Sequence, residues 1–433
     1  MDRMTGFTPR SGERAEAPRS VREAAMDAPL DLLSLDTPSY VYDLAEVRRA
    51  HALLTSALPL GAPLHYSLKA NPHPAVLKQL AALGCRAEVC SPGELRAALR
   101  AGFSAAGTLY TGPGKCDADV RGAVAQGVRR FSVDSPGGLD QLDRVGREHG
   151  VRLSALLRIN PQEPPHGAGL AMTGGPSQFG ADLSWLHEEP LLFAGRAYAR
   201  LVGVHLYMGS NLADEKALLT VFEHALRVAG EAQEALGCER FEVLDLGGGF
   251  GAPYATRGRL PVFATLRERL GVLLDRAFPA WRTGSPEVFF ESGRYLSAAC
   301  GQLLTRVLDV KRSHGCRIVV LDAGINHLGG MSGLGREPRI DPELLTTADG
   351  RNAGHETIVT GPLCHPLDSW TRNGLLPDVE PGELIAVPNV GAYGLHSSLA
   401  LFHGHPMPLE VVVDDGREIE RSRITVGRER YGT

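Results

Sequence analysis

Between residue 40 and about residue 292 the chain alternates short apolar runs of strand character with longer stretches whose apolar positions return every three or four residues. Eight runs stand out: LHYSLK, CRAEVC, GTLYTG, RFSVDS, LSALLRIN, LVGVHLYMG, FEVLDLG and EVFFES. Helical stretches such as PAVLKQLAALG, GELRAALRAG, DADVRGAVAQG and DEKALLTVFEHALRVAGEAQEALG lie between them and end on glycine, and DLAEVRRAHALLTSAL precedes the first run. Strand-helix alternation implies a parallel sheet, and eight repeats within about 250 residues imply closure into a (β/α)8 TIM-type barrel.

Beyond about residue 296 the texture changes to short β-type runs between turns: CRIVVLD, ETIVTG, ELIAVPNVGAY, LEVVVDDG and RSRITVG. This predicts a C-terminal, mostly antiparallel β-domain. The expected division is a disordered tail over 1–34, a barrel over 35–292 and the β-domain over 293–433, with an irregular Gly-rich loop from Gly324 to Arg351. The first thirty residues mix charge with Pro and Gly and hold no signal-like apolar segment, and nowhere do 18 apolar residues run together.

Charge narrows the partner. The formal net charge is -5 and no block of Lys and Arg stands out, which argues against nucleic acid and for a small or neutral ligand. The seven cysteines show neither C-x-x-C pairs nor metal-ligand spacing, so a reduced, cytoplasmic chain without a metal centre is expected.

A barrel builds its site at the carboxyl ends of its strands, which makes Lys69, Ser91, Gly112, Asp134, Asn160, Gly209 with Ser210, the glycines from 247 and Glu291 the residues to weigh. LDLGGGFG sets four glycines in five positions after an apolar strand, a pattern that lets backbone N–H groups approach an anion; a tight packed turn is the structural alternative. It is neither a dinucleotide fingerprint nor a Walker loop. ESGRYL places Glu291 at the last strand end with Arg294 behind it, and read alone it is a surface ion pair. Lys69 alone reads as a snorkelling side chain. Together, a lysine, a phosphate cradle and an acid for a pyridine nitrogen are what a pyridoxal phosphate enzyme must supply.

YVYD, YSLKANP, SPGEL, RINP, SQFG, GGGFG, ESGR, GPLC with Asp368, and GAYG occur in order between about residue 38 and residue 412. The chain thereby resembles the fold-type III pyridoxal phosphate decarboxylases, the group of diaminopimelate, ornithine and arginine decarboxylases. The resemblance implies that Lys69 binds the cofactor covalently, that Gly247, Gly248, Gly249, Gly293, Arg294 and Tyr393 hold its phosphate, with Ser210 adding a contact, and that Glu291 faces its ring nitrogen. An acid there, where alanine racemases use arginine, implies decarboxylation. It further implies a homodimer in which Cys364 enters the neighbouring site as proton donor, with Asp368, His365 and Asn326 near the substrate. Glu88 and Glu94 fall where relatives place acids near the lysine.

Three departures bear on the substrate. Tyr207 stands where relatives commonly carry a histidine over the ring, leaving His205 two positions earlier. His365 follows GPLC where diaminopimelate decarboxylases carry Glu, and DAGINHLGGMSGLG lacks their Arg-Pro segment. GPLCHPLD and MTGGPSQFG are similar instead to a branch that includes the butirosin-pathway decarboxylase, which acts on a glutamyl group tethered to a carrier protein. A carrier-tethered aminoacyl group is therefore the expected substrate. The alternatives are a free diamino acid (meso-diaminopimelate, lysine or ornithine) and a catalytically silent homologue.

Overall fold

The computed structural model describes residues 30–162, 173–331, 340, 342–346 and 354–430. Of the expected tail, residues 1–29 lie outside the described residues, as do 332–339, 341 and 347–351 of the expected Gly-rich loop. Residues 30–34 do not continue a tail. Leu32–Ser34 form a 3-10 turn capped by Asp31, whose carboxylate accepts the Leu33 N–H at 3.0 Å. Leu32 and Leu35 are buried beside Leu304, Leu384 and Val411 of the second domain.

The chain then runs through β1 (Ser39–Asp43), α1 (Leu44–Ala57), β2 (Leu64–Ser67), α2 (Pro74–Ala82), β3 (Arg86–Val89), α3 (Pro92–Ala101), β4 (Leu109–Tyr110), α4 (Asp117–Ala125), β5 (Arg130–Val133) and α5 (Pro136–His149). It continues through β6 (Leu153–Asn160), β7 (Ala181–Asp182), α6 (Leu183–Glu188), β8 (Ala199–His205), α7 (Glu215–Ala235), β9 (Val243–Asp245), α8 (Leu266–Ala277), β10 (Glu287–Ser292) and α9 (Arg294–Ser297). Strands β5, β4, β3, β2, β10, β9, β8 and β6 pair in that order, and β5 pairs with β6 to close the barrel. These are the eight runs expected from the apolar pattern.

Helix starts follow local chemistry. Ser91 and Ser135 cap α3 and α5, each accepting an N–H at 3.2 Å ahead of a proline in the first turn. Both helices stop where Gly102 and Gly150 turn left-handed, at φ 98° and 64°. Inside the barrel Leu109, Leu156, Val202, Val243 and Phe289, one each from five strands, form an apolar layer that supports the polar residues at the strand ends.

The second sheet comprises β11 (Gly301–Ser313), β12 (Cys316–Leu321), β13 (Leu345–Thr346), β14 (His355–Thr360), β15 (Ser369–Leu376), β16 (Leu384–Val387), β17 (Leu409–Asp414) and β18 (Arg417–Arg423), together with β1. Its pairings are antiparallel except β1–β17 and β12–β14. The expected boundary at residue 35 is thus corrected, because β1 lies between β11 and β17 in the second sheet. Ser39, Tyr40, Val41 and Tyr42 are all buried, a pattern that requires cover on both faces, which a central position in this sheet provides. Among the described residues, no helix is long and apolar enough to cross a membrane.

Candidate active site

β2 ends at Ser67 and the chain passes into a 3-10 turn, Leu68–Ala70, followed by extended Asn71 ahead of Pro72. Leu68 and Ala70 are buried, which turns Lys69 between them outward into the barrel mouth, where its side chain is 45 % exposed. Its Nζ lies 3.6 Å from Oε2 of Glu88, which is 2 % exposed at the end of β3. Burial pushes Glu88 up, but the Lys69 ammonium and donors on Thr111, Ser67 and Cys90 overcome it and hold the carboxyl at about 2. Burial likewise works against the Lys69 ammonium, yet Glu88 and other nearby groups raise it well above the ordinary lysine value. Glu94, the other expected acid, serves the backbone by accepting the Cys90 N–H at 2.7 Å.

Register builds the rest of the mouth. Arg158 of β6 pairs with His205 of β8, His205 with Asp245 of β9, Asp245 with Phe289 of β10, and Glu291 stands two residues beyond Phe289. Paired residues of parallel strands face the same side, as do residues two apart, so all four polar side chains share one face of the sheet. Atoms of His205, Asp245 and Glu291 lie within 4.8 Å of one another, and all three residues are buried. His205 Nε2 is 3.7 Å from Glu291 Oε1 and 3.8 Å from Asp245 Oδ2, while its Nδ1 meets Ser132 Oγ at 2.8 Å. Burial, with Asp245 and Glu88 adding, raises Glu291 well above the carboxylate range, and burial raises Asp245 to about 7. Burial, helped by Arg158, lowers His205 well below the usual imidazole value and so keeps it neutral.

One cavity is lined by Lys69, Tyr207, Ser210, Gly249, Glu291, Gly293, Arg294 and Tyr393. Gly247 and Gly248 stand behind it. A Cβ on Gly248 would sit 1.9 Å from the Glu291 carbonyl oxygen, and one on Gly247 2.4 Å from that of Leu206, so these glycines let the loop lie against its neighbours. Tyr393 takes a left-handed φ of 57°, held by its N–H donating to Ala70 O at 2.7 Å and by the Tyr254 hydroxyl donating to its carbonyl at 3.0 Å. Its ring lies 4.8 Å from the Arg294 guanidinium carbon, and burial pushes its phenol up to about 12, keeping it a donor.

These residues fit pyridoxal phosphate. Glu291 Oε1, Ser292 Oγ and Arg294 Nε are buried without a hydrogen-bond partner among the described residues, an acceptor for a ring nitrogen and two donors for an anion. Besides Gly247 and Gly248, four expected residues do not line this cavity. Cys364 is exposed on the turn between β14 and β15, and His365 in the same turn accepts the Leu367 N–H at 3.1 Å. Asp368 is buried and accepts the N–H groups of Ile325 and Leu363 at 2.9 and 2.8 Å, so its carboxylate fastens this turn to the one after β12. Asn326 is fully buried, its amide 3.2 Å from His327 Nε2. Asp245 and Arg158 were not anticipated; their signal is strand parity, legible only once neighbouring strands are in register.

An amine, a buried acid and an arginine converging at the mouth of a parallel barrel define an enzyme that binds an aromatic aldehyde phosphate. Comparison with known proteins narrows the class: residues 44–298 match the family described as pyridoxal-dependent decarboxylase, pyridoxal binding domain. The chain belongs to the pyridoxal-dependent decarboxylases. It is 29% identical over 389 residues to L-glutamyl-[BtrI acyl-carrier protein] decarboxylase of Niallia circulans, covering 88% of this chain and 90% of that protein. It is 31% identical over 396 residues to diaminopimelate decarboxylase of Methanothermobacter thermautotrophicus, covering 90% of each. Its fold is similar to that of Helicobacter pylori diaminopimelate decarboxylase complexed with L-lysine, with a TM-score of 0.77, 25% identity and coverage of 90% and 94%.

Proposed function

We propose that the chain removes the α-carboxylate, as carbon dioxide, from an aminoacyl group tethered to a carrier protein, a glutamyl group being the leading case. Pyridoxal phosphate, when bound, supplies an aldehyde that joins to amines and a ring that takes up the electron pair released when a bond to Cα breaks. Lys69 is the amine that anchors it, with Glu88 controlling that amine's charge. Glu291 holds a proton at the ring nitrogen, since a cation brought against this buried acid favours its ionised form. Arg294, Tyr393, Gly249 and Ser210 bind the phosphate, and Tyr207 covers the ring.

Cys364 delivers the proton that replaces the lost carboxylate. It stands outside the cavity lined by Lys69, so its role requires a second subunit to bring it in. Mixing Lys69→Ala with Cys364→Ala subunits tests this: each parent homodimer is inactive or slow, and subunit exchange restores activity. Mixed dimers without recovered activity would overturn the shared site.

The observation that carries the substrate reading is Asp368. It is 3 % exposed and each of its oxygens accepts a backbone N–H group, so its carboxylate fastens two turns and is not presented to the distal ammonium of a diamino acid. The likeness to the Niallia circulans carrier-protein decarboxylase supports the same reading. A free diamino acid remains the second reading, supported by the 31% identity to a diaminopimelate decarboxylase. Carbon dioxide release separates them: glutamyl-carrier protein is expected to turn over, and diaminopimelate, lysine and ornithine are not. Efficient release from a free diamino acid refutes the tethered substrate.

A further inference from the structure

Arg158, the arginine of RINP, has no part in the mechanism above. It lies near the carboxyl end of β6, is 7 % exposed, and its Nε has no hydrogen-bond partner among the described residues. Its guanidinium carbon sits over two rings, 4.5 Å from the centroid of Phe179 and 6.0 Å from that of Tyr207, which lines the cavity beside Lys69. Its charge favours the ionised forms of Asp245 and Glu291, yet among the described residues no carboxylate is recorded within ion-pair distance of it.

A buried guanidinium without a counter-anion is costly, and stacking on two rings offsets only part of that cost. Phe179 at 4.5 Å confines the guanidinium from one side, and its planar fork can donate to two oxygens at once. Register points it the same way as His205, Asp245 and Glu291, into the barrel mouth. An arginine held so, next to a cavity that binds an amino acid, lacks only an oxyanion.

We propose that Arg158 is an oxyanion-binding residue of the active site, its guanidinium donating to a carboxylate of the substrate or to the ring hydroxyl oxygen of the cofactor. The inference rests on the cofactor site and is independent of which amino acid is consumed. In particular, it gives the acid an affinity that the decarboxylated amine lacks if the oxyanion is the departing carboxylate.

The test uses the cofactor-loaded enzyme and its Arg158→Gln and Arg158→Lys variants. Binding is read from the change in the cofactor's visible absorbance for two acid and amine pairs, L-lysine with 1,5-diaminopentane and L-glutamate with 4-aminobutyrate. If the substrate carboxylate is the anion, Arg158→Gln weakens the acid about tenfold or more and leaves the amine unchanged. If the cofactor oxygen is the anion, the same variant weakens cofactor retention and shifts the pH dependence of the absorbance with no ligand present. This second arm decides where neither acid binds the wild type. Arg158→Lys, which keeps the charge and loses the fork, gives a smaller change in the same quantity and stands in should Arg158→Gln fail to fold. Unchanged acid-to-amine preference, cofactor retention and absorbance titration in a folded variant would overturn the proposal.

Discussion

Gly248→Ala moves Glu291, the residue proposed to face the ring nitrogen, without touching its side chain. The added Cβ would stand 1.9 Å from the Glu291 carbonyl oxygen, whereas an unstrained carbon–oxygen contact needs roughly 3.3 Å, so the glycine loop and β10 must part by about 1.4 Å. They cannot part freely, because the Glu291 N–H donates to Gly247 O at 2.7 Å. Overpacking of this kind costs roughly 1–3 kcal/mol, and losing the hydrogen bond adds about 1 kcal/mol. A displacement of about 1 Å at a reacting group costs on the order of a hundredfold in rate. The assay is a denaturant melt of the cofactor-free protein, a cofactor titration followed by visible absorbance, and turnover at saturating cofactor. A lower midpoint, weaker cofactor binding and a loss of kcat of that order are expected together. Wild-type cofactor affinity and turnover in Gly248→Ala would refute the view that this glycine positions Glu291.

The other predictions concern charge and backbone. Glu410 is 3 % exposed with the Tyr42 hydroxyl at 3.3 Å, and burial raises its carboxyl from 4.5 to about 7. The folded state therefore binds the proton more tightly than the unfolded one, and stability falls as pH rises from about 4.5 to 7, by roughly 3 kcal/mol. Glu410→Gln should flatten that loss and leave the variant more stable at pH 8; parallel stability curves for the two proteins would refute it. Glu88→Gln removes the anion 3.6 Å from Lys69, the largest influence raising its amine against burial, so the amine's proton affinity falls. Reductive methylation of Lys69 in the cofactor-free variant, followed by mass spectrometry, should then run faster at pH 8, and an unchanged rate refutes control by that pair. Gly230 lies within α7, and a methyl group added there would meet nothing within 4 Å, so Gly230→Ala should stabilise by up to about 1 kcal/mol in a denaturant melt without changing turnover.

The barrel was legible because its strands are largely buried and read as short, mainly apolar runs between Ser-Pro starts and glycine stops, with β6, LSALLRIN, the longest strand of the barrel. β1 has the same texture, but pattern alone does not say which sheet a strand joins, and its partner Leu304 lies far along the chain from Ser39. β11 was missed because GQLLTRVLDVKRS is interrupted by charge where its second half meets solvent. Lys69, Glu291, Arg294 and the glycines were legible as candidates because they stand at strand ends, and Lys69, Glu291, Arg294, Gly249 and Gly293 line one cavity. The convergence of Arg158, His205 and Asp245 depends on inter-strand register, which no local window contains. Asp368 shows the same limit, since an acid that grips a ligand and one that fastens two turns look alike in sequence.

The charge inventory explains how one site can exist both before and after it takes its cofactor. Lys69 and Glu88 neutralise each other at 3.6 Å. Glu291 and Asp245 cannot both stay ionised cheaply in the same buried cluster, and their raised proton affinities keep negative charge from accumulating there. A cationic ring nitrogen held in this cavity would favour the ionised form of Glu291, while Asp245 spends one oxygen on the Gly247 N–H at 2.8 Å. On the proposed reading Glu291 would be the anion that holds the ring's proton and Arg294 would meet the phosphate. Asp245 thus does two jobs from one position: it ties down the glycine loop, and its repulsion adds to burial in raising the proton affinity of Glu291.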